Sequence, residues 1–170
     1  DIGVDTLVHE SGPSQIEINL NHGDPLKLAD QTFMFKRAVR QVALKHGIHA
    51  TFMAKPHQGQ PGSSMHIHQN LVSTKDDKNI FTDLDGKETK AFYQYIGGLQ
   101  EYLPDAMVFF APYVNSYRRF VMHSSAPINT HWGFENRTVG LRVPLSSPHS
   151  KRVENRIPGA DTNPYLAIAA

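Results

Sequence analysis

The sequence predicts an α+β fold, because strand-like and helix-like periodicities mix along it without the strict alternation of a βαβ protein. Three stretches carry that reading. Gln15-Ile16-Glu17-Ile18-Asn19-Leu20 and Met65-His66-Ile67-His68-Gln69-Asn70 alternate polar and apolar residues, the period of a half-buried strand. Between them Leu28, Thr32, Phe35, Val39 and Val42 recur at helical spacing. With 170 residues, 39% of them hydrophobic and 19% charged, the chain has the length and composition of one globular domain with a core.

Taken in order, the chain opens on an apolar run, Ile2 to Val8, with no initiator methionine. In the first alternating run Gln15, Glu17 and Asn19 share a face. Asp24 caps a helix, Pro25 occupies its first turn, and Gly47 stops it. Ala50 to Lys55 reads as a strand ending before Pro56, and residues 57–64 as a loop rich in Gly and Ser. In the second alternating run His66 and His68 lie opposite Met65 and Ile67. After a polar turn at Asp83 to Lys87, a helix places Phe92, Ile96, Leu99 and Leu103 on one stripe. Pro104 starts a shorter helix that Pro112 ends. Asn136 to Val143 and Lys151 to Ile157 read as short strands. Asn163 and Pro164 open a final helix just before Ala170, so the natural chain is expected to continue in both directions.

Several function classes are excluded. The net charge is +1 and no Lys/Arg run dominates, which argues against a nucleic-acid partner. No apolar stretch is long enough to cross a bilayer, and no signal peptide opens the chain. The absence of cysteine removes disulfide and thiolate chemistry and fits a cytoplasmic protein. There is neither a GxGxxG nor a GxxxxGK[ST] motif, so a nucleotide would bind by some other device.

The residues suited to chemistry are individually modest signals. His66 and His68 could present two imidazoles to a metal, although a hydrogen-bonded polar strand face is the commoner case. Glu10 and Glu17 could offer hard oxygen ligands to a divalent cation, although two solvated glutamates are commoner. Arg118, Arg119, Arg137, Arg142, Arg152 and Arg156 crowd a short span with few acids, and guanidinium forks match phosphate and carboxylate oxygens. Arg152, Glu154 and Arg156 share one strand face, as an ion-pair ladder or as a polyphosphate cradle beside a metal; spacing does not choose between them. Arg137 and Arg142, five apart, share a site only if a bulge or strand end intervenes.

Together these runs resemble the glutamine synthetase family. Ala50-Thr51-Phe52-Met53-Ala54-Lys55-Pro56 with Gly62-Ser63-Ser64-Met65-His66-Ile67-His68 is similar to its ATP-binding signature. Asn115-Ser116-Tyr117-Arg118-Arg119, Asn136-Arg137 through Arg142-Val143-Pro144, Lys151-Arg152-Val153-Glu154-Asn155-Arg156 and Asn163-Pro164-Tyr165-Leu166 follow in the family's order. The resemblance implies a curved antiparallel sheet with helices on its outer face. Residues 1–170 would be a partial catalytic domain, without the family's N-terminal β-domain, a first metal-ligand strand holding two carboxylates, and the C-terminal remainder. It implies Glu10 and Glu17 on one divalent cation, Mg²⁺ or Mn²⁺, and His66 and Glu154 on a second. Arg119 and Arg156 would hold glutamate beside Gly62, with Arg119 and Arg137 catalytic. Arg137, Arg142 and Arg152 would meet the ATP phosphates, and His68 and Asn70 would lie near the nucleotide.

The implied reaction joins glutamate to an amine through γ-glutamyl phosphate at the expense of ATP. The implied assembly is a ring-type homo-oligomer of the full-length protein, and the 170 residues alone are expected to be inactive. Ammonia-using members carry a flap glutamate just before an Ala-Pro pair. Here Ser125 precedes Ala126-Pro127. Pro61 and Ser64 replace the commoner Asn and Gly of the loop. The whole pattern is nearest to the family's γ-glutamylputrescine, or polyamine, branch, which makes Ser125 the candidate for the amine pocket. An ordinary ammonium-using enzyme and a non-catalytic assembly or sensing relative are the competing readings. The presence of Glu10, Glu17, His66 and Glu154 together weighs against the last.

Overall fold

A computed structural model describes residues 1–170. Strands β1 (Val4–His9) and β2 (Ile16–Leu20) pair antiparallel as a two-stranded ribbon. β2 is the expected alternating run, and Asn19 Nδ2 donates to Glu17 Oε1 at 3.1 Å across the shared polar face. β1 contains the opening apolar run, but all six of its residues are exposed, so it has no polar–apolar alternation to betray it.

Helix α1 (Pro25–Lys45) starts as its sequence dictates. The Asp24 carboxylate accepts from the Lys27 amide at 3.0 Å and Pro25 fills the first turn. Gly47, at φ +68°, follows the end in the left-handed conformation that costs glycine nothing. The expected stripe is only half-buried, and Val42 is 53% exposed; the buried residues are the small Ala29 and Ala43. α1 packs on α5 (Pro164–Ala169), where the Phe33 and Tyr165 rings are 6.2 Å apart and the Tyr165 hydroxyl donates to Asp30 Oδ1 at 2.6 Å. Asn163 caps α5 as expected, accepting from the amides of Tyr165 and Leu166.

The second sheet has four short strands, β3 (Ile67–Gln69), β4 (Trp132–Phe134), β5 (Leu141–Val143) and β6 (Val153–Asn155), in the order β3-β6-β5-β4. β6 runs antiparallel to both neighbours, whereas β4 runs parallel to β5, so this sheet is mixed and not wholly antiparallel. A short connection can return parallel here because each strand has only three residues. Helix α2 (Lys90–Tyr102) lies under the sheet, capped by Thr89, whose hydroxyl accepts from the Phe92 amide at 3.3 Å. Phe92, Ile96 and Leu103 of the expected stripe join Phe81, Phe110, Leu141, Val143, Val153, Ile157 and Ala167 in one core. α3 (Met107–Phe110) and α4 (Val114–Tyr117) complete the elements. The period of two then fixes the site: Leu141, Val143 and Val153 point into the core, so Arg142 and Glu154 stand on the opposite face.

Three expected strands change. Ala50 to Lys55 forms no ladder; the Asn115 side chain takes the place of a neighbouring strand at Lys55, with Lys55 N donating to Asn115 Oδ1 and Asn115 Nδ2 donating to Lys55 O, both at 2.9 Å. Asn136 to Val143 keeps only β5, because Asn136 Oδ1 accepts from the Thr138 amide and hydroxyl at 2.9 and 2.7 Å and folds the start into a turn. Lys151 to Ile157 shortens to β6.

Candidate active site

The polar face of the second sheet converges on Glu154, which is 2% exposed. Arg142 Nη1 donates to its Oε2 at 2.7 Å, and Arg156 Nη1 donates to Oε1 at 2.5 Å. His66 Nδ1 lies 3.1 Å from the same Oε1. Burial alone would raise this carboxyl. The hydrogen bond and charge of His66 and the two guanidiniums overcome that and hold it well below the usual carboxylate range. Arg142 also donates through Nη2 to both oxygens of Glu135, at 3.3 and 3.2 Å. Burial pulls the Arg142 guanidinium down, but Glu154 and Glu135 outweigh it and leave it above its ordinary value.

Of the two readings left open at Arg152, Glu154 and Arg156, the structure forms half of the ion-pair ladder. Arg156 meets Glu154, but Arg152 turns to His68 and donates from Nε to Nδ1 at 3.0 Å, with Nη1 on Ser150 O at 3.2 Å. A three-residue strand is too short to hold both arginines on one carboxylate, and Arg142 from β5 takes the second place. Desolvation pushes the His68 imidazole down, opposed by Glu154 and reinforced by Arg152, His66 and Arg142. A neutral ring with its lone pair on Nδ1 is the form that Arg152 requires.

Arg119 is 2% exposed. Its Nη1 donates to Ser64 Oγ at 3.0 Å, its Nη2 donates to Ile157 O, and its guanidinium lies 4.8 Å from the Phe120 ring centre. Burial lowers it to about 10, with Arg156 adding and Asp161 opposing, so it is charged at neutral pH. Gly62 has no room for a side chain: a Cβ there would sit 2.6 Å from Ala54 O and 2.7 Å from Arg119 Cγ. Arg119, Arg142 and Arg156 each keep a buried Nε–H without a partner.

The remaining predicted residues lie apart from this cluster. Arg137 is exposed in the turn before β5, so the strand end needed to bring it toward Arg142 is present, yet it makes no hydrogen bond. Asn70 and Ser125 are exposed, and neither side chain is hydrogen-bonded. Glu17 is on β2 and Glu10 just beyond β1, on the ribbon and not on the second sheet. No three His, Asp or Glu side chains come together as a ligand set. Two participants escaped the sequence reading. Glu135 pairs with Arg142 from a left-handed turn at φ +49°, a conformation that its sequence does not announce. Gln15 bonds the Gly62 loop across 47 residues, and only its place in the alternating run Gln15 to Leu20 hinted at a role.

No helix is long and apolar enough to cross a membrane. The family profile of the glutamine synthetase catalytic domain matches residues 1–170. Gamma-glutamylputrescine synthetase of Escherichia coli is 44% identical over 170 residues, covering 99% of this chain and 36% of that protein. Glutamate–isopropylamine ligase of a Pseudomonas species is 43% identical over 163 residues, 95% of this chain and 35% of that protein. A glutamine synthetase of Pyrococcus horikoshii is 42% identical over 166 residues, 98% of this chain and 37% of that protein. The chain thus spans about a third of the length of these relatives. With its whole length matched by the catalytic-domain profile, the chain belongs to the glutamine synthetase family.

Proposed function

We propose that these residues form part of the catalytic domain of an ATP- and divalent-cation-dependent ligase, which joins glutamate to an amine. We further propose that the amine is organic, such as putrescine, and that ammonium is the poorer substrate. The observation that carries the ligase reading is the set of three guanidiniums, Arg142 and Arg156 joined on Glu154 and Arg119 on the Gly62 loop side, each with an Nε–H that has no partner. Buried donors without partners favour anionic ligands, and both glutamate and ATP are anionic. Ser125 in place of the family's flap glutamate supports the organic amine, as do the names of two of the relatives.

The donor atoms fit a hard divalent cation in kind. Glu10 and Glu17 offer oxygens, and the neutral form of His66, donating from Nδ1 to Glu154, would offer its Nε2 lone pair to a metal. Since no three of these groups converge, each ion would complete its shell with water, phosphate oxygens or groups outside these residues. A bound cation would supply charge neutralisation on the transferring phosphoryl group.

In this reading Arg119 and Arg156 hold the glutamate carboxylates, and the backbone of Gly62 meets the same substrate. Arg137, Arg142 and Arg152 face the phosphates, with His68 and Asn70 near the nucleotide. A γ-carboxylate oxygen of glutamate attacks the γ-phosphorus of ATP, and the bond to ADP breaks. The amine nitrogen then attacks the acyl carbon of γ-glutamyl phosphate, phosphate leaves, and the nitrogen loses a proton. The guanidiniums act by position and charge, which is most of what phosphoryl transfer asks of a protein.

The test is ADP release by the full-length protein with Mn²⁺ or Mg²⁺, glutamate and a panel of amines. ADP that requires glutamate together with an amine is expected. No ADP release with any of the amines or with ammonium would return the chain to the assembly or sensing reading.

A further inference from the structure

Gln15 stands at the turn joining the ribbon strands and uses its whole side-chain amide. Its Nε2 donates to Gly62 O at 2.9 Å and to Ser63 Oγ at 3.0 Å, while its Oε1 accepts from the Gly12 amide at 3.1 Å. Its backbone is fixed as well: Gln15 N donates to Gly12 O at 3.0 Å, and Glu10 N donates to Gln15 O at 2.9 Å. The amide is therefore held at both ends and cannot swing away without breaking the turn.

The receiving segment is clamped from the other side. Gly62 is pressed between Ala54 O and the Arg119 side chain, where a Cβ would not fit. Ser63 N donates to Ala54 O at 2.9 Å, Ala160 N donates to Ser63 O at 3.0 Å, and Ser64 Oγ takes the bond from Arg119. Three consecutive residues thus bridge Gln15 on the ribbon to the buried guanidinium of Arg119.

We propose that Gln15 is a positioning residue that couples the ribbon bearing Glu10 and Glu17 to the Gly62 loop and Arg119, and so sets the affinity for glutamate. This rests on the ligase reading above. A carbonyl oxygen accepts two hydrogen bonds. Gln15 occupies one lone pair of Gly62 O and thereby fixes the direction of the other, which is left for a donor on the substrate. Gln15 ends the turn and precedes Glu17 of β2 by two residues. A cation held by Glu17 would therefore reach the loop through one amide.

Steady-state kinetics of the full-length enzyme test this with Gln15→Met, which keeps length and removes the amide, and Gln15→Glu, which keeps shape and sets an acceptor against Gly62 O. The glutamate KM is expected to rise about tenfold in Gln15→Met, which removes all three side-chain hydrogen bonds of Gln15, among them the one that orients Gly62 O, and further in Gln15→Glu. The ATP KM, kcat and melting temperature should change far less. Gln15→Glu keeps the question open if Gln15→Met does not fold. An active wild type with the same glutamate KM in both variants defeats the inference alone, as does a fall in kcat and melting temperature with glutamate KM unmoved. A wild type without glutamate-dependent ADP release defeats the ligase reading and this inference with it.

Discussion

Glu154 and His66 are read from the sequence as two ligands of one cation, yet their surroundings separate their roles. Glu154 is a hub that accepts from Arg142, Arg156 and His66. Replacing it with alanine leaves two guanidiniums on the same face with no shared carboxylate. Breaking a buried pair in this way typically costs about 3–5 kcal/mol. His66 has a single polar contact and its side chain is 25% exposed, so truncating it opens no buried charge. In the full-length enzyme, His66→Ala is expected to lose most cation-dependent turnover with little change in melting temperature, whereas Glu154→Ala loses both turnover and stability. Paired activity and thermal melts check this. Equal melting temperatures in the two variants would show that the hub contributes no stability, and near-normal turnover in His66→Ala would remove it from cation binding.

At the scale of elements, α1 shows how a helix is docked by polar contacts where its apolar stripe is only half-buried. Lys36 Nζ donates to Thr162 O at 2.9 Å, just ahead of α5, and its side chain runs beside the Phe52 ring. Burial, then Arg40, lowers Lys36 from its ordinary 10.5 to about 8, with Asp161 opposing. The unfolded chain therefore binds the extra proton between about pH 8 and pH 10.5, and the contribution of this residue to stability rises with pH across that window. Below it the buried charge is carried at a cost. Wild type is expected to gain stability relative to Lys36→Met between pH 7.5 and pH 10 in denaturant melts; parallel profiles would contradict this. α1 and α5 were legible because their ends carry explicit chemistry, Asp24 with Pro25 and Asn163 with Pro164, and α2 through its apolar stripe, whereas the one-turn α4 showed no signal. Alternating polarity disclosed β2 and β3, and the strands read at Asn136 to Val143 and Lys151 to Ile157 contain β5 and β6 within bounds that are too wide. β1 is exposed on both faces, and β4, three residues with a central glycine, offers no period to read. The arginine cluster was legible as composition, but its pairing was not. Which guanidinium meets Glu154 depends on the register of β5 against β6, where Arg142 lies opposite Glu154.

For the whole molecule, the architecture is a ribbon carrying Glu10 and Glu17 and a separate sheet carrying His66, Arg142 and Glu154, with the Gly62 loop between them. One face of the sheet is core and the other carries Arg142 and Glu154. In the proposed reading, the choice of amine belongs to a different place, the exposed turn that holds Ser125. Ammonium needs a nearby carboxylate to concentrate it and take its proton, and serine supplies neither at neutral pH. An organic amine can gain affinity from its own chain, about 0.8 kcal/mol per buried CH₂. The most direct measurement is kcat/KM of the full-length enzyme for putrescine and for ammonium, at saturating glutamate and ATP. A value for putrescine well above that for ammonium is predicted. A preference for ammonium would contradict the organic-amine reading and make this an ammonium-using glutamine synthetase.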